Sequence, residues 1–385
     1  MNDQPTPFEQ GRQPSAEDPL VAVAMSGGVD SSMAAALLQQ RGYRVVGLTM
    51  KLFAEQLNAR SPVALRSCCN LDALKRAQSV CRTLNIPHYS MDMTSYFNRY
   101  VIEDFVSEYL QGKTPNPCVR CNTYLKWGIL FEKARAIGCE YLATGHYAQV
   151  KQISGEYQLL RAEDSRKDQS YALWGIPTDR LPHTLLPLGD LNKSQVRKLA
   201  AELNLKTAYT PDSQEICFIP EGGYTEFLET HSPSAAQRSS AGELFEEDFS
   251  GNLKRVGIHN GYLRYTVGQR KGLGGGYPEP RYVLRVEPDT NRVIIGGREL
   301  LRKSSFFVER TNWLISEPKD SIQCEVQIRY RADVVHGRVI RQKSCWLVEL
   351  DGYAEAVTPG QSAVFYQGMR VLGGGIIACD SAKQH

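Results

Sequence analysis

A short loop near the amino terminus carries the first residues that could do chemistry. The apolar run Val21–Met25 predicts a buried strand, and the loop Ser26–Ser32 that follows it has the sequence SGGVDSS. Its two glycines let the backbone turn sharply and approach a ligand closely, while a helix beginning at Ser31 or Ser32 would aim free N–H groups at an anion. The loop therefore predicts a binding site for the phosphates of ATP.

The same loop lacks the Gly-Lys-Ser/Thr ending of a Walker loop, so it places no lysine on the β- and γ-phosphates. It carries Asp30 instead, and a carboxylate beside phosphates is repulsive unless Mg²⁺ bridges them. We therefore expect Asp30 to act through magnesium bound to ATP. The arrangement resembles the pyrophosphate-binding loop of enzymes that cleave ATP between the α- and β-phosphates. A plain strand-to-helix turn needs neither the second glycine nor the aspartate.

Three thiols form the second candidate site. Cys118 and Cys121 lie in the segment GKTPNPCVRCN, just before a predicted helix, and Cys217 lies in PDSQEICFIP. The helix terminus and the neighbouring Arg120 both favour thiolate, the reactive form of cysteine. We expect redox or sulfur-transfer chemistry here. Because Cys-x-x-Cys is also a metal-ligand spacing, structural zinc and an iron–sulfur cluster on Cys118, Cys121 and Cys217 stay open as alternatives.

The elements that must position these groups alternate between strands and helices from Leu20 to Gly222. The predicted strands are Val21–Met25, Val45–Met50, His88–Met91 and Tyr141–Thr144, and the predicted helices are Ser31–Gln40, Leu71–Leu84 and Asn122–Ile137. This alternation predicts an α/β domain with a parallel sheet. Such a sheet binds ligands at the carboxyl ends of its strands, where the Ser26–Ser32 loop and Thr144–Tyr147 fall.

After Gly222 the sequence changes to short alternating runs separated by turn residues. The segment Ser232–Ala241 predicts a surface insertion, and the glycine clusters Gly272–Gly276 and Gly373–Gly375 predict tight turns because no helix follows them. Strands typical of small barrels are predicted at Tyr282–Val286, Val293–Ile295, Cys324–Arg329, Ser344–Leu350 and Ala363–Tyr366. The expected division is a disordered tail (1–18), a catalytic α/β domain (19–222), a small central β-rich domain (223–278) and a C-terminal β-barrel (279–381).

Composition sets the outer limits of this interpretation. With 385 residues, 42% hydrophobic and 23% charged, the chain is long enough for two or three domains. A net charge of +3 permits a polyanionic partner without requiring one. No apolar run approaches the length of a membrane span and no export signal precedes the first strand, so we expect a cytoplasmic protein without membrane contact.

The ten cysteines are then expected in a reducing compartment, where spaced thiols are more often catalytic or metal-binding than disulfide-bonded. Five of them lie in apolar runs and are predicted to be small core residues: Cys81, Cys139, Cys324, Cys345 and Cys379. The adjacent pair Cys68 and Cys69 has no role that the sequence supports.

The loop, TPNPCVRCN and DSQEICFI together closely resemble the bacterial tRNA-specific 2-thiouridylases. Further matching motifs, in the family's order, are Ala143–Tyr147, Lys167–Ser170, Val267–Leu273, Arg329–Arg331, Val357–Gln361 and Val371–Gly375. The family thiolates C2 of the wobble uridine of tRNA, using ATP and a sulfur relayed as a persulfide. The resemblance therefore implies adenylation of the uracil oxygen, a persulfide donor protein, tRNAs of the Lys, Glu and Gln type, and a monomer. It implies an ATP-pyrophosphatase-like domain, a small central domain and a C-terminal barrel.

The resemblance also implies residue roles. Cys121 corresponds to the family's nucleophile and Cys217 to the persulfide carrier, and the two can form a disulfide. The implied ATP-binding residues are Ala24, Met25, Ser26, Gly27, Gly28, Val29, Asp30, Ser31, Met50 and Gly145. The implied tRNA-binding residues are Asn116, Pro117, Cys118, His146, Lys167, Asp168, Gln169, Arg329, Tyr330 and Gln361. Some members have aspartate at the position of Cys118, so this thiol either supports Cys121 or helps to bind a cluster.

Two other functions compete with this interpretation. One is a different adenylating ligase or sulfurtransferase with the same loop, acting on a small molecule, although amide-forming synthetases need no thiol. The other is an RNA-binding module with a degenerate loop, which the intact Ser26, Gly27, Gly28 and Asp30 argue against. Arginine and tyrosine neighbours such as Arg329–Arg331 could pair with phosphates and stack on bases, which favours an RNA substrate.

Overall fold

The structure, a computed structural model, describes residues 15–53, 71–211, 216–219 and 223–379. The chain divides into two compact units, of which the first comprises residues 1–100, 118–221 and 369–371 and the second comprises residues 101–117, 222–368 and 372–385. Most of the predicted disordered tail (1–14) and the Cys68–Cys69 pair lie outside the described residues. No helix in the described ranges is long and apolar enough to cross a membrane.

A five-stranded parallel sheet forms the centre of the first unit. Its strands are β1 (Leu20–Ala24), β2 (Arg44–Lys51), β3 (His88–Asp92), β4 (Tyr141–Ala143) and β7 (Thr184–Leu185). They lie in the order β3-β2-β1-β4-β7, so the chain moves outward in both directions from β1. The crevice at such a switch point is where parallel sheets bind ligands. The predicted parallel α/β fold is confirmed. A hairpin of β5 (Gln149–Ile153) and β6 (Glu156–Leu160), which the sequence did not indicate, belongs to the same unit.

In the first unit, helices follow β1, β2, β3 and β7 in the expected alternation. The α-helices of the described residues, of which α4, α8 and α9 belong to the second unit, are α1 (Val29–Gln40), α2 (Leu71–Thr83), α3 (Thr94–Phe97), α4 (Glu103–Leu110), α5 (Pro117–Arg120), α6 (Phe131–Ala136), α7 (Lys193–Glu202), α8 (Gly223–His231) and α9 (Pro233–Arg238). Helix α1 is buried on nearly every side, because the small residues Ala34–Ala36 let it lie close to its neighbours. Val196 and Ala200 of α7 belong to the same buried core. The helix that opens from the SGGVDSS loop is therefore held rigidly.

The predicted helix over Asn122–Ile137 has a different form. Helix α5 already begins at Pro117, and Cys121–Leu130 is a π-helix that continues into α6. Cys118 and Cys121 thus lie within helical turns and not before them, because proline is well suited to the first position of a helix. A π-helix has i→i+5 hydrogen bonds, is rare at this length and is frequently found at functional sites.

The second unit contains two β systems. The first is a four-stranded sheet of β8 (Gly242–Glu247), β9 (Leu253–His259), β10 (Tyr282–Glu287) and β11 (Arg292–Gly296). Its order is β10-β11-β8-β9, so strands on both sides of the expected boundary at residue 278 belong to one sheet. A boundary after Gly296 leaves this sheet intact.

Six strands form the barrel of the second unit. They are β12 (Arg302–Trp313), β13 (Ser321–Gln327), β14 (Val335–Arg341), β15 (Trp346–Glu355), β16 (Ser362–Gln367) and β17 (Arg370–Ile377). Strand β17 pairs with β12, which closes the sheet around a core that includes Trp313, Trp346 and Phe365. The prediction of a turn at Gly373–Gly375 is wrong, because these glycines lie inside β17. A Cβ at Gly375 would lie 2.4 Å from Val308 Cγ1, so glycine is needed there for close approach.

The segment Ser232–Ala241, predicted as a surface insertion, is mostly exposed and contains a short helix. Residues Pro233–Arg238 form α9, whose Ala235 is fully buried, and the Ser232 side chain accepts the N–H of Ala235 as an N-cap. Arg238 Nη1 donates to the carbonyl of Leu110 at the end of α4, at 3.1 Å. The segment is therefore an ordered surface helix of the second unit.

Candidate active site

The loop between β1 and α1 has a fixed backbone. Gly27 has a φ of +72°, and a Cβ at this position would lie 2.3 Å from the carbonyl oxygen of Ala73 in α2. Arg76 Nε donates to the carbonyl of Gly27 at 3.0 Å. Only glycine fits both the left-handed backbone and the close approach of α2. The shape of the turn is therefore fixed by contacts with α2.

The opening turn of α1 presents backbone donors. Gly28 is the N-cap residue, and no side chain caps the turn. The hydroxyls of Ser31 and Ser32 donate back to the Gly28 carbonyl at 3.1 and 2.8 Å, while Ser31 Oγ accepts the N–H of Ser26. The first N–H groups of a helix have no partner within it. A Cβ at Gly28 would meet only Ser26 Oγ, at 3.6 Å, so the turn has room for a phosphate, and these residues fit the predicted nucleotide.

Asp30 is held from two sides within the first unit. Tyr147 donates its hydroxyl to Oδ1 at 2.8 Å, and Lys193 Nζ donates to both carboxylate oxygens at 2.7 and 2.8 Å. Lys193 is the first residue of α7, whose capping box of Asn192 and Gln195 fixes the start of that helix. Direct ligation of Mg²⁺ by Asp30 does not fit this arrangement well, because both oxygens already accept from an ammonium group. The magnesium role of Asp30 stays a prediction.

The predicted nucleotide contacts lie together at the carboxyl edge of the sheet. Ala24 ends β1 and Met25 follows it, Met50 lies near the end of β2, and Gly145 is the second residue after β4. A Cβ at Gly145 would lie 2.6 Å from the carbonyl carbon of Asp30. Position 145 must therefore be glycine for the chain to pass directly against the loop.

His146 belongs to a polar cluster beside the loop. Lys126 Nζ donates to Asn122 Oδ1 at 2.8 Å and contacts His146 Nε2 at 3.4 Å. His146 Nδ1 lies 2.6 Å from Thr144 Oγ1, and Asn122 Nδ2 donates to the carbonyl of Ala172. Burial and the nearby Lys126 ammonium hold the pKa of His146 well below its usual range. His146 is thus a neutral, hydrogen-bonded histidine in a strand-end turn, and its contact with tRNA stays a prediction.

The three candidate thiols are all accessible to some degree. Cys118 is exposed, whereas Cys121 and Cys217 are half-buried. Phe218, which follows Cys217, packs against Phe97 with ring centroids 5.6 Å apart. The ring of Tyr100, three residues after Phe97, stacks on the ring of Tyr124, three residues after Cys121, with centroids 5.3 Å apart. The segment from α3 to Tyr100 therefore bridges the Cys121 turn and the Cys217 segment.

The remaining cysteines separate into two groups. Cys81, Cys139 and Cys324 are buried as predicted, and burial raises the pKa of their thiols to about 11, about 11 and about 12. Cys345 and Cys379 are only half-buried, so for them the core prediction is wrong. Among the described residues no three His, Cys, Asp or Glu side chains gather closely enough for a metal ion. The iron–sulfur cluster that the sequence left open as an alternative on Cys118, Cys121 and Cys217 does not fit this geometry.

The segment of Lys167, Asp168 and Gln169 contacts the site through the backbone of Tyr147. Asp168 accepts hydrogen bonds from Ser170 and from the N–H of Ala162, and pairs with Arg161 at 3.2 Å. Gln169 Oε1 accepts the N–H of Tyr147 at 2.9 Å, which fixes the tyrosine that holds Asp30. Asp168 therefore fixes its own segment, and Gln169 positions Tyr147 beside Asp30 of the SGGVDSS loop. Lys167 is half-buried, and a contact of any of the three with tRNA stays a prediction.

In the second unit, Gln361 contacts the segment that leads to Asn116 and Pro117. Its Nε2 donates to the carbonyl of Thr114 at 2.8 Å, and the N–H of Thr114 donates to the carbonyl of Pro359. Gln361 thus fixes the chain just before the predicted base-facing segment.

Arg329 and Tyr330 lie elsewhere on the second unit. Arg329 Nη2 donates to the carbonyl of Glu355 at 3.2 Å, whereas Tyr330 is 43% exposed. The guanidinium of Arg331 lies over the Tyr330 ring, 5.2 Å from its centroid. An exposed aromatic ring beside arginines is suited to base stacking.

Lys193 and Lys126 are the two site residues that the sequence did not indicate. The Asn192-x-x-Gln195 capping box marks where α7 begins, but it does not reveal that Lys193 meets a carboxylate 163 residues away. Lys126 lies one turn beyond Cys121, a position that looks like an ordinary exposed helix residue.

Family profiles match the chain in three blocks. The tRNA methyl transferase HUP domain matches residues 20–221, the tRNA methyl transferase PRC-barrel domain matches 226–297, and the aminomethyltransferase beta-barrel domain matches 303–377. Together with the parallel sheet and the loop between β1 and α1, these matches define the class: a HUP domain joined to a PRC-barrel domain and a closed β-barrel.

Relatives similar over the whole chain make the assignment more specific. The tRNA-specific 2-thiouridylase MnmA of Chloroflexus aggregans is 44% identical over 361 residues, which is 93% of this chain and 98% of the relative. Its counterpart from Geotalea uraniireducens is 41% identical over 365 residues, which is 93% of this chain and 94% of the relative. The chain belongs to the family of tRNA-specific 2-thiouridylases.

Proposed function

We propose that the protein is an ATP-dependent tRNA sulfurtransferase that replaces the C2 oxygen of the wobble uridine with sulfur. The observation that carries the proposal is the connection, within one unit, between an anion-binding loop and a thiol-bearing helix. Gly145 packs on Asp30, and the next residue, His146, contacts Lys126 and through it Asn122, the neighbour of Cys121. Family membership supports the substrate, since the named relatives are tRNA-specific 2-thiouridylases.

The first step needs an activated oxygen, because the C2 oxygen of uracil is a poor leaving group. ATP, as a substrate, would supply AMP to this oxygen and release pyrophosphate. The N–H groups that open α1 would bind the phosphates, and the strand ends at Met25, Met50 and Gly145 would line the nucleotide. The Lys193–Asp30 ion pair would keep the loop in place while negative charge moves to the leaving pyrophosphate.

Sulfur replaces the activated oxygen in the second step. The terminal sulfur of a persulfide on Cys217 forms the new bond to C2, and the oxygen leaves with AMP. In one route the terminal sulfur attacks C2 directly; in the other Cys121 attacks the persulfide and frees hydrosulfide. In both, the Cys121 thiolate supplies the electron pair that forms a Cys121–Cys217 disulfide, which an external dithiol must reduce before the next turnover.

The substrate must present its base to this site. A wobble uridine has to leave the anticodon stack, which costs a few kcal/mol that tRNA contacts must offset. We propose contacts with Asn116, Pro117 and Cys118 at the base, and with His146, Lys167 to Gln169, Arg329, Tyr330 and Gln361 along the tRNA. The proposed partners are tRNAs of the Lys, Glu and Gln type and a persulfide-carrying donor protein, and the proposed state is a monomer.

The test is mass analysis of nucleosides from tRNA incubated with the protein, ATP and a persulfide donor. We expect 2-thiouridine derivatives at the wobble position only when all three are present, with one AMP released per sulfur inserted. Control reactions omit ATP or replace it with a non-cleavable analogue. Stoichiometric AMP release on a small molecule without tRNA would instead support a different adenylating ligase.

A further inference from the structure

Lys126 is a half-buried cation whose hydrogen-bonding partners are both neutral. Its ammonium donates to the Asn122 amide oxygen at 2.8 Å and lies 3.4 Å from His146 Nε2. Because an ammonium can only donate, Nε2 must be the unprotonated nitrogen, and His146 then carries its proton on Nδ1 and donates to Thr144 Oγ1 at 2.6 Å. The arrangement therefore needs a neutral imidazole, which cannot balance the charge of Lys126.

Two other half-buried lysines of the chain have a carboxylate partner. Lys193 pairs with Asp30 at 2.7 Å, and Lys113 lies 3.7 Å from Glu108. For Lys126 no carboxylate lies within ion-pair distance among the residues that the structure describes. Charges removed from water are normally paired. The ammonium of Lys126 is therefore available to an anion that the described residues do not supply.

The location of Lys126 indicates which anion it would meet. In the π-helix Cys121–Leu130 the backbone hydrogen bonds join residues five apart, so Lys126 lies one turn above both Cys121 and Asn122. On its other side, His146 follows Gly145, which packs on the loop at Asp30. The two partners of the ammonium thus connect the chain beside the phosphate-binding turn with the residue next to Cys121. An anion attached to the reacting oxygen is the ligand expected at such a position.

We propose that Lys126 binds the α-phosphate of the activated substrate and stabilises the AMP that leaves. This inference rests on the proposed function. In the first step the uracil oxygen bonds to the α-phosphorus as the bond to pyrophosphate breaks, giving a phosphodiester with one negative charge. In the second step the C2–O bond breaks, and its electron pair stays on the AMP phosphate as a second negative charge. A fixed ammonium stabilises that developing charge more than it stabilises the ground state.

The experiment compares Lys126→Met and Lys126→Arg with the wild type. AMP release in single turnover with tRNA, ATP and persulfide donor should fall on the order of 100-fold in Lys126→Met, because one charge-stabilising donor is lost. Lys126→Arg keeps a cation and should recover a substantial part of the rate. The matched control is Lys198→Met, which removes an exposed lysine of α7 that lies 4.0 Å from Glu202 and should leave the rate unchanged.

AMP binding, followed by titration calorimetry without tRNA, supplies a readout that does not depend on activity. The affinity for AMP should fall about tenfold or more in Lys126→Met, as expected for the loss of one charge-assisted hydrogen bond. Unchanged AMP affinity together with AMP release within threefold of the wild type would overturn the inference. If the wild type releases no AMP with tRNA, the proposed function fails, while the AMP affinities of the two proteins still decide whether Lys126 binds this phosphate.

Discussion

The parallel sheet of the first unit and the barrel of the second use the same residue types for different purposes. At the carboxyl edge of the sheet, glycine, cysteine and charged residues collect beside one loop, as Gly145, Asp30 and Lys193 do. In the barrel, Gly375 admits a neighbouring strand, and Cys324 is a core residue. A closed barrel has no open edge at which strand ends meet. A residue type therefore acquires a chemical role from the point in the sheet where it lies.

The thiols should show the largest difference between the two regions. We expect Cys121→Ser and Cys217→Ser each to lower thiolation by more than about 1,000-fold, because a hydroxyl can neither carry a persulfide nor form the disulfide. ATP binding should be unchanged in both. In the barrel, Cys324→Ala should keep thiolation within about twofold. Nucleoside mass analysis measures all three, and sulfur insertion at the wild-type rate by either serine variant would refute the relay.

Thiol reactivity should separate the exposed Cys118 from the buried cysteines of both units without any substrate. A raised pKa means that thiolate forms only as the pH approaches that value, so at pH 8 the thiols of Cys81, Cys139 and Cys324, with pKa values of about 11, 11 and 12, are almost wholly protonated. We expect iodoacetamide at pH 8 to label Cys118 at least about 100-fold faster than these three. Peptide mass analysis over time measures the rates. Equal labelling in the native protein would contradict the burial of the three thiols.

Removing an ion pair should also affect the reaction rate more in the first unit than in the barrel, by a smaller factor than the loss of a thiol. In the first unit, Asp30→Asn and Lys193→Met each remove one partner of a half-buried pair, and we expect tRNA-dependent AMP release to fall roughly tenfold to 100-fold. The double variant should lose much less than the two losses combined, since each single variant already breaks the pair. The barrel pair Arg341–Glu317, with both side chains 49% exposed, is the control, and Glu317→Gln should have no effect on the rate. Strictly additive losses would show that Asp30 and Lys193 act independently.

The glycines should show the smallest effects on activity. Gly145→Ala places a Cβ 2.6 Å from the backbone of Asp30, which must shift, so we expect ATP affinity to fall about tenfold together with a loss of thermal stability. Gly375→Ala forces Val308 and Thr311 of β12 aside, and should lower the free energy of unfolding by about 1–3 kcal/mol while leaving ATP affinity unchanged. Calorimetric ATP titration and thermal unfolding of both variants test the pair. Unchanged ATP affinity in Gly145→Ala, or reduced ATP affinity in Gly375→Ala, would contradict the division of roles.

The local sequence was sufficient to predict the structure where a motif and the elements around it are contiguous in the chain. The strand, loop and helix around Ser26–Ser32 are one continuous segment, and the alternation that follows could form little except a parallel sheet. Apolar neighbours along the chain also predicted the burial of Cys81, Cys139 and Cys324, although the same signal was wrong for Cys345 and Cys379. For the loop and the strand order, the contiguous sequence contains most of the partners that determine the structure.

Features that depend on distant partners could not be predicted in this way. A glycine cluster is compatible with a turn or with close strand approach, and only the position of β12 decides that Gly373–Gly375 is the latter. Likewise β8 pairs with β11 across the expected boundary at residue 278. The choice between i→i+4 and i→i+5 bonds over Cys121–Leu130 leaves no mark in the hydrophobic period. The meeting of Lys193 with Asp30 depends on how α7 packs on α1.

The π-helix that begins at Cys121 makes the spacing of this motif sensitive to residue number. A turn closed by i→i+5 bonds contains one residue more than a turn closed by i→i+4 bonds. Deleting a single residue between Asn122 and Lys126 would leave the lysine four residues after Cys121, the spacing that closes an ordinary α-helical turn. Such a deletion should therefore keep the ammonium one turn from the thiol if the segment changes to i→i+4 bonds, and misplace it if the π-helix persists. In this segment the number of residues and the type of helical hydrogen bond must match, separately from the identities of the residues.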